Sequence, residues 1–300
     1  MPDDRRDLDR MIRQIEQIPT LPIVSQRLMD VREDDPDSHR KFVEIIETDQ
    51  ALSLKLLKIA NSAFYGSLSK VSSVDHAVVR LGTNEVRSIV LAFSVQGFFS
   101  ENGEQAYNRT PFWKHAIVCS QVAKYLGIHY RIRNDETLFL SGLIHDMGKI
   151  VLDEYFHDSF LLVLDTLKRK NTTFSRAEKA VLGTTHYQVA AKLLQQWRFP
   201  KKVVFQVLYH HAPWYDREYE SNSILLYLSN QLTRLSGYLC HPDELPPDPA
   251  GFAASKEMEY VVKSGFELDL RTIRNMVSHI QEFIQEEFDN VMTLFDAPSN

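Results

Sequence analysis

Three hundred residues, 44% hydrophobic and 25% charged, can bury a sizeable core as one large domain or two medium ones. A net charge of −6, with no basic cluster beyond the short Lys168-Arg-Lys170 run, excludes the electrostatic footprint of a nucleic-acid binder. Two cysteines exclude a disulfide framework, and no apolar run reaches the ~18–20 residues that cross a bilayer. The charged start Met1-Pro-Asp-Asp-Arg-Arg6 has no apolar stretch of the secretory kind. The expectation is a cytoplasmic protein with neither nucleic acid nor membrane as partner.

Helical spacing runs through almost the whole chain. Pro19 and Pro22 separate an N-terminal helix from the next. Phe42, Val43, Ile45, Ile46, then Leu52, Leu56, Leu57, Ile59 and Ala60 predict one apolar helix face. Asn61 to Ser73, with Gly66 and several serines, predicts a loop. Val86, Ile89, Val90 and Phe93 predict a helix opened by Thr83 or Asn84 as N-cap. The polar stretch from Ser100 to Pro111 is the expected domain boundary. His241 to Pro249 carries four prolines and is expected to be extended. Ile273, Met276, Val277, Ile280, Phe283, Ile284, Phe288 and Val291 predict a long C-terminal helix, packed within the molecule or used in a dimer contact. With no strand-like alternation of comparable length, the expected fold is all-α. An N-terminal helical lobe would span residues 1–105, and a second helical lobe 106–300.

The chemistry concentrates in the second lobe. His145-Asp146 sits inside the apolar run from Leu140 to Leu152, where an unpartnered carboxylate would cost several kcal/mol. His115 is placed early in an amphipathic helix. His186 follows a Thr184-Thr185 cap at the start of another, and His210-His211 closes a third just before Pro213. If these ends converge, an imidazole-rich set with one carboxylate suits Fe, Mn, Zn or Ni, as one ion or two. Two ions bridged by Asp146 would hold hydroxide against phosphorus. Lys149, one turn beyond His145, is a candidate contact to a phosphate oxygen, and Gly148 admits close approach of a substrate or another backbone. The plain readings stand beside these. His210 and His211 could complement a helix dipole, Asp146 could pair with Lys149 or a histidine, and Lys149 could be a surface lysine.

The order His115, His145-Asp146, His186, His210-His211 resembles the HD metal-dependent phosphohydrolase superfamily. Ile18-Pro-Thr-Leu-Pro22, the run from Ile45 to Tyr65 containing Asn61-Ser-Ala-Phe-Tyr-Gly66, and Val71 to Gly82 resemble its HDOD (HD-related output domain) branch over roughly residues 15–235. That resemblance implies an all-helical bacterial regulatory module that meets a protein partner in a signalling pathway and has lost most hydrolase chemistry. It also leaves room for a nucleotide or phosphate ligand. At the final metal-binding Asp of the superfamily this chain has Asn230, whose amide oxygen can coordinate but carries no charge. Ala212-Pro213-Trp214 stands where the cyclic-di-GMP phosphodiesterases have Gly-Tyr-Pro. The expected function is therefore a signalling module with little or no hydrolase activity, its pocket retaining a metal ion. The alternatives are a phosphodiesterase acting on a nucleotide or cyclic dinucleotide, and a structural hydrogen-bonded network. Oligomeric state is not legible.

Overall fold

The computed structural model describes residues 18, 21–32, 35–61, 70–98, 106, 108–132 and 137–292; of residues 96, 98 and 283–292 it describes the backbone alone. All regular elements among them are helical, as expected. None of these helices is long and apolar enough to cross a membrane. The described residues fall into two compact units, residues 21–98 and 283–292 in one, and Ile18 with residues 106–282 in the other. The expected N-terminal helix before Pro19, and much of the expected loop and boundary segments, lie outside the described residues.

The first unit contains α1 (Ile23–Asp30), α2 (Ser38–Glu47), α3 (Gln50–Ala60), α4 (Val74–Leu81) and α5 (Thr83–Phe98). The single apolar face expected over residues 42–60 is in fact two helices. Asp49 breaks the run by accepting a hydrogen bond from Leu52 N at 3.0 Å, the N-cap of α3. Phe42, Ile46, Leu56 and Ile59 still share the core, because α2 packs directly on α3. The cap expected at Thr83 or Asn84 is displaced as well, since Thr83 is already helical. Asn61 binds the backbone on both sides of residues 62–69. Its amide donates to Leu57 O at 2.8 Å and Val71 O at 2.7 Å, and its Oδ1 accepts from Val71 N at 2.8 Å.

The second unit is built on α6 (Thr110–His129), α7 (Thr137–Ile144) and α13 (Glu220–Leu235), which pack on one another. Pro111 in the first turn of α6 suits a position whose N–H has no intrahelical partner. Leu138 to Ile144 is buried throughout, and apart from Thr137 and Ser141 the sequence of α7 is apolar. Gly142 lets it in: a Cβ there would stand 2.5 Å from Ser120 Cα on α6. Three residues, 145–147, turn the chain into α8 (Gly148–Tyr155), which is followed by α9 (His157–Lys170) and α10 (Phe174–Leu182). Then come α11 (His186–Gln196), packed on α8, and α12 (Lys201–Tyr209), packed on α11. After α13 the Pro-rich segment is non-helical until Pro249, as read from sequence. Short helices α14 (Pro249–Ala253) and α15 (Lys256–Lys263) lead to α16 (Leu270–Met292), of which residues 270–282 belong to this unit. Ile273 and Met276 bury the first turns of α16, whereas the side chains of the stripe from Phe283 onward lie outside the described residues.

Candidate metal centre

Each helix end that sequence singled out delivers its imidazole to the same place. His115 projects from α6, His145 and Asp146 from the turn between α7 and α8, His186 from the first position of α11, and His210 with His211 from the end of α12. Donor atoms of Asp146, His186, His210 and His211 lie within 4.8 Å of one another. All but the half-buried His211 are buried.

The tautomers follow from the surroundings. Nδ1 of His115 donates to Tyr238 O at 2.7 Å, that of His145 to Gly142 O at 2.8 Å, and that of His210 to Val207 O at 2.7 Å. His186 Nδ1 donates to the Glu178 carboxylate at 2.7 Å. With Nδ1 committed in four rings, Nε2 is the atom turned toward the centre, the arrangement by which outer partners orient metal-binding histidines. The Nε2 atoms of His115 and His145 are 3.2 Å apart, as are those of His186 and His211. Lone pairs facing at that distance repel unless a proton or a cation sits with them. His210 Nε2 and Asn230 Oδ1 are buried without a hydrogen-bond partner, and such groups are costly unless satisfied. These orphaned atoms and paired Nε2 atoms fit a bound transition metal.

Asp146 divides its two oxygens. Oδ1 lies 3.1 Å from His186 Nε2 and 3.7 Å from His210 Nε2, with no contact of hydrogen-bond geometry. Oδ2 accepts from Lys149 Nζ at 2.7 Å and from the Cys240 thiol at 2.8 Å. Burial opposes ionisation of Asp146, but His145 and Lys149 outweigh it and hold the carboxyl well below its usual range. Burial also opposes the charged form of His145, yet Asp146 prevails and raises it to about 10. His186 is raised too, since Glu178 overcomes burial. Burial wins at His115, lowered to about 3, and at His210 and His211, both well below the ordinary imidazole range. Burial thus disfavours charge on His115, His210 and His211, whereas Asp146 favours it on His145 and Glu178 on His186.

Lys149, the candidate phosphate contact, lies inside the cluster. Only 3% exposed, it is committed to Asp146 and lies 4.6 Å over the Phe174 ring. This is the plain pairing that the i, i+3 spacing also allowed. The close approach at Gly148 is to a backbone: a Cβ would meet His186 O at 1.9 Å. Thr185 is the N-cap residue of α11, but its side chain does not cap it. Glu178 does that work instead, accepting from His186 N at 2.9 Å with the oxygen that also holds the ring. Asn230 is buried on α13, the helix packed against the α6 helix of His115.

Three participants went unread in the sequence. Cys119 is one turn after His115 on α6, a spacing that could have flagged it; Cys240 and Glu178 carry no comparable signal. Glu178→Gln is expected to weaken metal binding by roughly 10–100-fold through loss of the charged anchor on His186. Competition against a chromophoric chelator measures it, and unchanged affinity would remove Glu178 from the site.

Comparison with known proteins places this geometry. The HDOD domain family matches residues 18–213. An uncharacterized protein of Treponema pallidum (strain Nichols) is 23% identical over 214 residues, which cover 69% of this chain and 40% of that protein. The chain thus spans well under half the length of that curated relative. Among solved structures, an HDOD domain protein with unknown function from Geobacter sulfurreducens superposes with a TM-score of 0.79 at 19% identity, over 98% of both chains. A candidate signal transduction protein from Marinobacter aquaeolei VT8 gives 0.74 at 23% identity, over 97% of this chain and 65% of that one. A candidate metal-dependent phosphohydrolase from Shewanella amazonensis SB2B gives 0.61 at 18% identity, over 99% of this chain and 100% of that one. At such identities the likeness is one of fold. The family match, however, runs through more than half of the sequence and into both compact units, and the chain belongs to the HDOD domain family.

Proposed function

We propose that this chain is a cytoplasmic regulatory module of a bacterial signalling pathway, with little or no hydrolase activity. An N-terminal lobe over residues 1–105 meets a protein partner, and an HD-like lobe over 106–300 holds a transition-metal ion. In this reading Asp146 Oδ1, His186, His210 and His211 are the ligands, with Fe, Mn, Zn or Ni as the ion. Bound there, such an ion would act as a Lewis acid toward an oxygen anion reaching it past half-buried His211. A nucleotide or phosphate ligand would enter by that side. His115 and His145 form the other flank of the pocket.

The observation that carries the regulatory reading is the Lys149–Asp146 contact at 2.7 Å. A two-metal phosphoesterase needs both oxygens of its bridging carboxylate. Here an ammonium takes the second oxygen and supplies the positive charge locally. Asn230 removes a further anionic ligand from the pocket. The second reading, a metal-dependent phosphohydrolase, is favoured by the retained donors around Asp146 Oδ1 and by the fold shared with a candidate enzyme of that class.

The test is metal content beside turnover. Chelator-stripped protein reloaded with Mn, Fe or Zn should retain one equivalent more than the His186→Ala/His210→Ala variant. It should also leave an aryl phosphodiester at the background rate. Equal metal content would overturn the site. Metal-dependent turnover that Asp146→Asn abolishes would establish the enzyme reading instead.

A further inference from the structure

The Oδ1-side ligands leave a second pair of imidazoles unused. His115 and His145 are fully buried, with their Nδ1 atoms bound to backbone carbonyls and their Nε2 atoms 3.2 Å apart. Two nitrogens bound to one tetrahedral zinc at ~2.0–2.1 Å stand ~3.3 Å apart. The pair is therefore already spaced for a shared ion. Asp146 Oδ2 faces the pair, 3.3 Å from His145 Nε2 and 3.7 Å from His115 Nε2, but its charge is already matched by Lys149, and it also accepts from Cys240. Asn230 brings no charge. Another anionic donor is needed.

Cys119 stands one helical turn after His115 on α6, where i and i+4 side chains share a face. It is fully buried, and the donor atoms of His115, Cys119 and His145 lie within 4.8 Å of one another. The geometry points to a His115–Cys119–His145 centre, a thiolate-containing site separate from the Asp146 Oδ1 ligands and selective for a borderline-soft ion such as zinc. The thiolate supplies the negative charge, and sulfur disfavours magnesium, calcium and manganese. Binding displaces to solvent the thiol proton of Cys119 and the Nε2 proton that Asp146 favours on His145, two protons for the two charges of the ion. Two protein sites of different softness then flank Asp146, whose Oδ2 is paired with Lys149. This inference rests on the metal-holding reading of the cluster and adds to it the nature of the second site.

Cobalt(II) is the probe, added to the chelator-stripped full chain under reducing conditions. We expect a near-ultraviolet thiolate-to-cobalt charge-transfer band that persists in Cys240→Ser and is lost in Cys119→Ser, while visible cobalt bands from the Oδ1-side site remain in both. Visible bands without any charge-transfer band would overturn the thiolate centre and leave the metal-holding reading standing. No cobalt bands at all would overturn both. Loss of the band in Cys240→Ser, with retention in Cys119→Ser, would transfer the ligand to Cys240 and overturn the assignment made here. Should Cys119→Ser fail to fold, X-ray absorption of zinc-loaded Cys240→Ser decides the matter. One sulfur at ~2.3 Å is the expected result, and nitrogen and oxygen alone would overturn it.

Discussion

Gly148→Ala should lower the melting temperature by roughly 6–12 °C, a loss of about 3 kcal/mol in a unit of this size. The expectation runs against local propensity. Alanine is the better helix former, by about 1 kcal/mol in a helix interior, so a free first turn of α8 would be stabilised. What opposes it is one atom: the added Cβ would lie 1.9 Å from His186 O and 2.7 Å from His186 C. No side-chain rotation relieves contact with a backbone carbonyl, so α8 and the start of α11 must part. That movement would also separate Asp146 from His186, now 3.1 Å apart, and metal affinity should fall with stability. Thermal unfolding and chelator competition on the same preparation check both. A melting temperature that stays or rises would show that α11 does not press on α8.

Asp146→Ala should destabilise the metal-stripped protein by about 3–5 kcal/mol, the usual cost of breaking a buried ion pair from one side. Lys149 would keep its charge at 3% exposure with its main partner removed. Cys240 would lose its acceptor as well. Converting the lysine too, in Asp146→Ala/Lys149→Met, should restore much of that loss, because no buried charge is then stranded; the cycle measures the coupling. A carboxylate that served only a metal would cost nothing in stripped protein. Equal denaturant midpoints for wild type and Asp146→Ala would therefore return Lys149 to a contact of no structural weight.

Periodicity and punctuation were good guides wherever the cause of structure is local. The apolar spacing of α16, the Pro-rich segment before Pro249 and the position of His186 at a helix start all follow from near neighbours in the chain. Errors arose where a single polar residue redirected the backbone. Asp49 splits an apolar run because its side chain captures Leu52 N, which no hydrophobic pattern registers. Thr185 looked like the cap of α11, yet the fold brings Glu178 to the same N–H with a stronger, charged acceptor.

The sequence by itself determined that the chain is helical, that His145-Asp146 lies in an apolar segment, and that histidines stand at several helix ends. A carboxylate in such a place requires a partner, and that much is legible from one stretch of chain. Which partner it takes was decided only in three dimensions. Asp146 Oδ2 is satisfied by a lysine three residues away and a cysteine ninety-four residues away, while Oδ1 faces imidazoles from α11 and the end of α12. Packing of α6, α8, α11 and α12 sets those distances. Electrostatic preference falls off over a few ångströms, so whether Lys149 meets a phosphate or a carboxylate depends on where those helices come to rest.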